Sequence, residues 1–273
     1  MSQSDSSSVI SIRNVTWKQE GKAILNNISW EIKKGENWAL LGLNGSGKTS
    51  ILKMITGYQW PTTGDVSVLG NQFGKTNIPM LRRSIGWVST SLDDKFHIRQ
   101  FDTGLEVVLS GKFASVGLFE DITEKDLDKA YHLLEQFNIG HLANEVITTF
   151  SQGEKRKAMI ARSLMAGPRV LILDEPCNGL DIKSKEQLLS TIEQMSAMPD
   201  GPTLLYVTHN VEEIIPSISH VILMHSGGII AQGDKEHTLT EPLLQNTFDV
   251  PLSLDWENDR PWIRVKSEHM IFD

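Results

Sequence analysis

Eight consecutive residues constrain this chain more than any other feature. Gly42-Leu43-Asn44-Gly45-Ser46-Gly47-Lys48-Thr49 sets glycines where successive backbone N–H groups must close around an anion without Cβ clashes. Lys48 supplies a point charge for the outer phosphates of a nucleotide, and the Thr49 hydroxyl can ligate Mg²⁺. Asn37 to Leu41, just before the loop, reads as a short buried strand, and Ser50 to Ile55 reads as the start of a helix whose dipole adds positive potential. A chance glycine-rich turn would account for the eight residues, but not for the correct strand before and helix after them.

A second segment complements the first. Val170-Leu171-Ile172-Leu173 is a buried strand that delivers Asp174 and Glu175 at its C-terminal end, where ligands sit in open α/β sheets. Asp174 suits Mg²⁺, directly or through water, and Glu175 suits the orientation or deprotonation of an attacking water. The plain alternative is a strand that ends in a solvated Asp-Glu-Pro turn. Ser151-Gln152-Gly153-Glu154 is a capping box that opens a helix through Met165. Lys155, Arg156 and Lys157 follow at once, and cations at a helix N-terminus oppose its dipole. A phosphate at that point would remove the conflict, and Gly153 would let it approach the backbone.

The remaining pattern predicts strands at Val9 to Ile12, Val15 to Trp17, Ile28 to Ile32, Asp65 to Leu69, Leu81 to Val88 and Leu204 to Val207. Val221 to Met224 and Gly228 to Ala231 form a closing pair around Ser226-Gly227. Thr123 to Asn138 carries Leu127, Ala130, Tyr131, Leu134 and Phe137 at helical spacing, and Lys183 to Met198 is also helical. Alternating strands and helices give an α/β fold. Residues 1–8 form a serine-rich tail, 9–240 the main domain with a helical insert over 92–165, and 241–273 an extension without clear pattern except a strand at Trp262 to Val265.

Composition excludes several classes. No apolar run exceeds four residues, whereas a membrane-spanning helix needs about 20. The N-terminus carries no secretory signal. The single cysteine, Cys177, excludes an internal disulfide and a cysteine-rich zinc site, which points to the cytosol. A net charge of −8 argues against nucleic acid as a partner.

Together the motifs resemble the ATP-binding cassette (ABC) ATPases over residues 8 to 240. The resemblance implies a P-loop NTPase core of RecA type, with an antiparallel β subdomain and an inserted α-helical subdomain. Phe150-Ser151-Gln152-Gly153-Glu154 is similar to the family signature, with Gln152 where glycine is usual. Asn178-Gly179-Leu180-Asp181 is similar to the D-loop, and His209 falls where the family places its switch histidine. Trp17 fits the aromatic that stacks on adenine, and Ser50 completes the ATP-binding set with Gly42, Asn44, Gly45, Ser46, Gly47, Lys48 and Thr49. Cys177 reads as a small packed residue rather than a nucleophile.

The family's Pro-Gln pair after the strand ending at Val88 is replaced by Ser89-Thr90-Ser91-Leu92, and Gln100 is too far along to stand in for the glutamine. Leu105 to Phe119, with Leu109-Ser110-Gly111, is more similar to cassettes of metal-chelate and oxyanion importers than to other branches. The resemblance implies an ATP- and Mg²⁺-dependent hydrolase that dimerises on ATP. Thr49 and Asp174 would hold the metal, Glu175 and His209 would act on water and the γ-phosphate, and Ser151, Gln152 and Gly153 would face the nucleotide of the other protomer. The dimer would power a membrane-spanning subunit on a separate chain, at the cytoplasmic face of the membrane. The alternative is a soluble, non-transport cassette ATPase acting on a nucleic-acid or regulatory partner. A P-loop kinase or GTPase would leave the Ser151 and His209 motifs unexplained.

Overall fold

The structure is a computed structural model that describes residues 8–89, 101–113, 122–198 and 201–266. The readings that involve residues 1–7, Thr90 to Leu92, Gln100 and the second half of Leu105 to Phe119 lie outside those residues. The chain divides into two compact units, one made of residues 1–82 with 203–273 and the other of residues 83–202.

The first unit opens with β1 (Ser8–Gln19) and β2 (Lys22–Lys33), joined by a tight turn in which Glu20 and Gly21 take positive φ. β1 thus begins at Ser8, and the two predicted strands at its start are one strand bent at Asn14, where φ is 48°. Ile28, Trp30 and Ile32 of β2 are buried and alternate with exposed residues, as expected of a sheet with one wet face. β3 (Trp38–Gly42) is buried throughout, and α1 (Lys48–Ile55) follows the phosphate loop. β4 (Thr63–Val68) and β5 (Asn71–Gln72) extend the antiparallel sheet in the order β2-β1-β4-β5.

Leu81, expected in a strand, lies instead in α2 (Ile78–Arg82), where the side chain of Asn77 accepts the N–H of Met80. An Asx start of this kind favours a helical turn over extension. Arg82 then donates to the carbonyls of Thr56 (2.9 Å) and Gly57 (2.8 Å) and so satisfies acceptors left open past the end of α1.

The second unit contains β6 (Ile85–Val88), α3 (Gly104–Ser110), α4 (Glu124–Gln136), α5 (Gln152–Met165), β7 (Val170–Asp174) and α6 (Ile182–Ser196). β6 and β7 pair in parallel from Ile85↔Val170 to Val88↔Leu173. In α4 the buried face runs through Ala130, Leu133 and Leu134 to Phe137, just past its end. Tyr131, expected in that face, is 42% exposed, because the i, i+3, i+4, i+7 row from Ala130 selects Leu133 in its place.

The chain then returns to the first unit with β8 (Thr203–Thr208), β9 (His220–His225), β10 (Gly228–Asp234), α7 (Lys235–Thr238), α8 (Glu241–Phe248), β11 (Leu252–Glu257) and β12 (Arg260–Val265). β8 and β9 flank β3 in parallel. β10 folds back on β9 through Ser226-Gly227, both at positive φ, which is the expected closing pair. Residues 241–266 are more regular than their sequence suggests. Pro242 pre-sets the first turn of α8, and the β11–β12 hairpin turns on Asn258 and Asp259, with φ of 52° and 59°.

Candidate functional site

In the first unit, β3 carries the chain to the phosphate loop between two parallel neighbours, with Leu41 opposite Thr208 and Gly42 opposite Met224. A Cβ on Gly42 would lie 2.4 Å from the Met224 carbonyl oxygen, so only glycine fits there. Gly47, at φ 105°, is the N-cap of α1, and it provides no side-chain cap; no acidic residue stands in the first helical turn. The helix therefore presents bare N–H groups and the positive end of its dipole to the loop.

Ser46 is 4% exposed, and its hydroxyl has no hydrogen-bond partner. Its carbonyl accepts from Gly227 N (3.1 Å), so the β9–β10 turn braces the loop from behind. Lys48 is 6% exposed and donates to the carbonyls of Gly42 (2.7 Å) and Leu43 (3.1 Å). Asn44, Gly45 and Thr49 are exposed and Ser50 is half-buried. A buried ammonium, an orphaned buried hydroxyl and an uncapped helix start converge on one loop, and that donor set fits a polyphosphate.

Two further residues of the expected set lie in or beside strands that flank this loop. Trp17 is half-buried and pairs across the sheet with Leu25, whose side chain comes within 2.6 Å of where a Cβ on Gly47 would stand. Cross-strand partners share a face, so the indole lies on the loop's side of the hairpin. His209 is half-buried and follows the Leu41–Thr208 pair directly, at the end of β8 beside the exit of β3.

Sequence reasoning passed over Glu213, which is 2% exposed and receives hydrogen bonds from Tyr206, Thr208 and Asn210. A signal did exist, because an acidic residue shortly after a buried strand that carries Tyr and Thr hydroxyls can only be buried with donors around it.

In the second unit, β7 ends with Asp174 and Glu175, both half-buried. Glu175 has φ 51°, in the left-handed region that costs a non-glycine residue about 1 kcal/mol or more. Such strain is characteristic of residues whose placement matters more than their comfort. Cys177 is 4% exposed, as its reading as a packed residue requires.

α5 starts with the full capping box: Ser151 Oγ accepts from Glu154 N (3.3 Å), while Ser151 N and Oγ both donate to the Glu154 carboxylate (2.7 Å each). Those bonds, the hydroxyl's first, hold the Glu154 carboxyl below the ordinary carboxylate range. Burial pushes the Lys157 ammonium down, and the nearby Glu154 charge partly offsets this. The conflict between cations and dipole is thus already eased by Glu154. Gly153 has a packing reason as well, since a Cβ there would meet Ser184 of α6 at 3.1 Å. Ser151 and Gln152 are exposed. Asp181 caps α6 by accepting from Ser184 N (2.9 Å) and Oγ (2.8 Å), which lowers its pKa.

The model of the family described as "ABC transporter" matches residues 25–178. The ABC transporter ATP-binding protein YlmA of Bacillus subtilis is 43% identical over 93% of this chain and 96% of its own length. A cassette assigned to a metal-chelate type ABC transporter, in an inward-facing conformation, superposes with a TM-score of 0.74 over 95% of this chain and 97% of that one; at 22% identity this is a likeness of fold. MJ0796, a bacterial ABC transporter cassette solved as a dimer, gives a TM-score of 0.68 at 26% identity, over 82% of this chain and 98% of that one.

Proposed function

The chain belongs to the ABC transporter family, and from that premise we propose that it is the ATP-binding and ATP-hydrolysing subunit of a transporter, working as a nucleotide-sandwich dimer. The observation that carries the reading is the start of α1, where Ser46, Lys48 and the uncapped first turn form a polyphosphate cradle. Lys48 neutralises the β- and γ-phosphates, and Trp17 stacks on the adenine. Mg²⁺, which Thr49 and Asp174 would hold, supplies charge neutralisation on the phosphates. Glu175 orients the attacking water and accepts its proton as the oxygen bonds to the γ-phosphorus. The bond from that phosphorus to the bridging oxygen breaks, leaving ADP and inorganic phosphate. His209 donates to the γ-phosphate oxygens as their charge redistributes.

Ser151, Gln152 and Gly153 of one protomer complete the site by binding the nucleotide of its partner, a reading supported by the exposed position of Ser151 and Gln152. MJ0796 forms a dimer, which supports this arrangement. No helix among the described residues is long and apolar enough to cross a membrane. The likeness to relatives described as ATP-binding proteins of ABC transporters supports placing the transport path on another chain and this one at the cytoplasmic membrane face.

The test is Glu175→Gln. Removing the proton acceptor lowers kcat by about 10²- to 10⁴-fold and leaves binding intact, so the variant accumulates as an ATP-bound dimer in gel filtration. A variant that stays monomeric at saturating ATP and Mg²⁺ overturns the composite site. Isolation in mild detergent with a multi-spanning protein that raises ATP turnover supports the transport role, and recovery only with soluble partners overturns it.

A further inference from the structure

The loop that carries His209 closes on a buried carboxylate. Glu213 Oε2 accepts from Tyr206 Oη (3.0 Å) and Thr208 Oγ1 (2.8 Å), and its Oε1 accepts from Asn210 Nδ2 (2.8 Å). Asn210 N also donates to Thr208 Oγ1 (3.0 Å), so the residues on both sides of His209 are tied to one another and to Glu213. A carboxylate 2% exposed is tolerated only while its donors stay in place, which makes the loop an all-or-none arrangement.

The same short turn is gripped from the C-terminal extension. Arg260, the first residue of β12, donates from Nε to the Glu212 carbonyl (2.5 Å), across 48 residues of sequence. Lys235, 7% exposed, donates from Nζ to the Pro216 carbonyl (3.2 Å) and to the Asp259 carbonyl in the hairpin turn (3.1 Å). The segment just beyond His209 is therefore fastened to the hairpin at two points, each a cation on backbone oxygen.

We propose that the β11–β12 hairpin is a positioning element for His209, with Arg260 and Glu213 as the positioning residues that set where its imidazole stands. The inference rests on the reading of His209 as a group that touches the γ-phosphate. Arg260 holds the Glu212 carbonyl, the adjacent Glu213 carboxylate holds Thr208 and Asn210, and those two residues bracket the histidine. The phosphate loop takes no part in this chain of contacts, so the hairpin governs the chemical step rather than nucleotide affinity.

The experiment compares Arg260→Ala and Arg260→Lys in the full chain, reading kcat, KM for ATP and amide hydrogen exchange at Glu213 and Ile214, whose N–H groups bond to Asn210 and Val211. Arg260→Ala lowers kcat about tenfold, leaves KM within about twofold and speeds exchange at both amides, because a small misplacement of a reacting group costs rate before binding. Arg260→Lys, which keeps a donor, restores most of the rate. If the alanine variant does not fold, Arg260→Met repeats the measurement with most of the side-chain length kept and no donor.

An unchanged kcat overturns the inference, as does a parallel loss of kcat and ATP affinity. His209→Ala separates the two ideas. If it turns over at the native rate, the reading of His209 fails. If it is inactive while the Arg260 variants are normal, only the positioning role fails.

Discussion

Helix α1 begins at Gly47 with no side-chain cap and no acid in its first turn, whereas α5 begins at Ser151 with every element of a capping box in place. The second unit treats its other helices in the same way as α5: Thr103 and Thr123 form capping boxes, and Asp181 caps α6. In the first unit α7 and α8 also lack a side-chain cap but carry an acid in the first turn, whereas α1 lacks both, and its start adjoins Ser46 and Lys48. An anion can take the α1 N–H groups without displacing anything. At α5 it must compete with the Glu154 carboxylate for the Ser151 hydroxyl. Under the proposed function, the difference would give the two helix starts an order of engagement, in which nucleotide settles first on the α1 loop and reaches a partner's α5 only when the two protomers are pressed together.

Lys48→Ala is the largest blow to this asymmetry. Loss of a buried charge-assisted contact weakens ATP binding by about 100-fold in calorimetry, while Lys157→Ala, also buried but at the capped helix, leaves it nearly unchanged. Equal losses would break the comparison. Trp17→Ala follows at about tenfold for ATP and ADP alike, as expected for a lost stacking surface, and unchanged affinity would make Trp17 simply a packing residue of the hairpin.

The α5 side is probed with Ser151→Ala, which removes a cap worth about 1 kcal/mol and lowers the melting temperature by about 2 °C without altering ATP affinity of the monomer. In the Glu175→Gln background it also weakens the ATP-dependent dimer. Glu154→Ala costs similar stability but frees the hydroxyl, so its dimer forms at least as readily. A dimer lost in both variants would show that the cap, not the hydroxyl, is what the partner needs.

The smallest effect is in pH. The folded Glu154 carboxyl lies below its ordinary value of 4.5 because Ser151 binds the charged form, so its contribution is complete above that value and is lost as pH falls through the lower folded one. Asp126, drawn down to about 2 by Lys112 and Thr123, behaves in the same sense at the start of α4. Thermal unfolding between about pH 6 and pH 3 should therefore decline more steeply for the native chain than for Glu154→Gln, which keeps the box without titrating.

The phosphate loop was legible because each of its residues answers a local demand: positive φ at Gly45 and Gly47, close backbone approach at Gly42, charge at Lys48. The Ser226-Gly227 turn was legible for the same reason. Leu81 misled because a leucine beside a β-rich run looks like strand, while the deciding contact, Asn77 with the Met80 N–H, is a side-chain bond invisible to periodicity. Of the C-terminal hairpin, the strand at Trp262 to Val265 was read and lies within β12, whereas β11 was missed because it exposes Trp256 and lacks clean alternation, although Asn258-Asp259 is a recognisable turn pair. Glu213 was overlooked although its partners Tyr206, Thr208 and Asn210 lie within seven residues of it. Arg260 was out of reach for a different reason, because its role exists only once residues far apart in sequence have been brought together.

That last point has a consequence for how the protein comes into being. β3 lies between β8 and β9, and the Asn37 side chain bonds to Leu204 N and to the Ser217 carbonyl, 167 and 180 residues further on. On a ribosome the strand that feeds the phosphate loop is thus made long before either neighbour exists, with Leu40 and Leu41 waiting unpaired while the whole second unit is synthesised. The second unit, contiguous in sequence, can assemble as it emerges. A nascent chain halted near residue 202 should be a folded middle with an unfinished beginning: protease-sensitive around β3, bound by chaperones, and unable to retain nucleotide until the final quarter arrives.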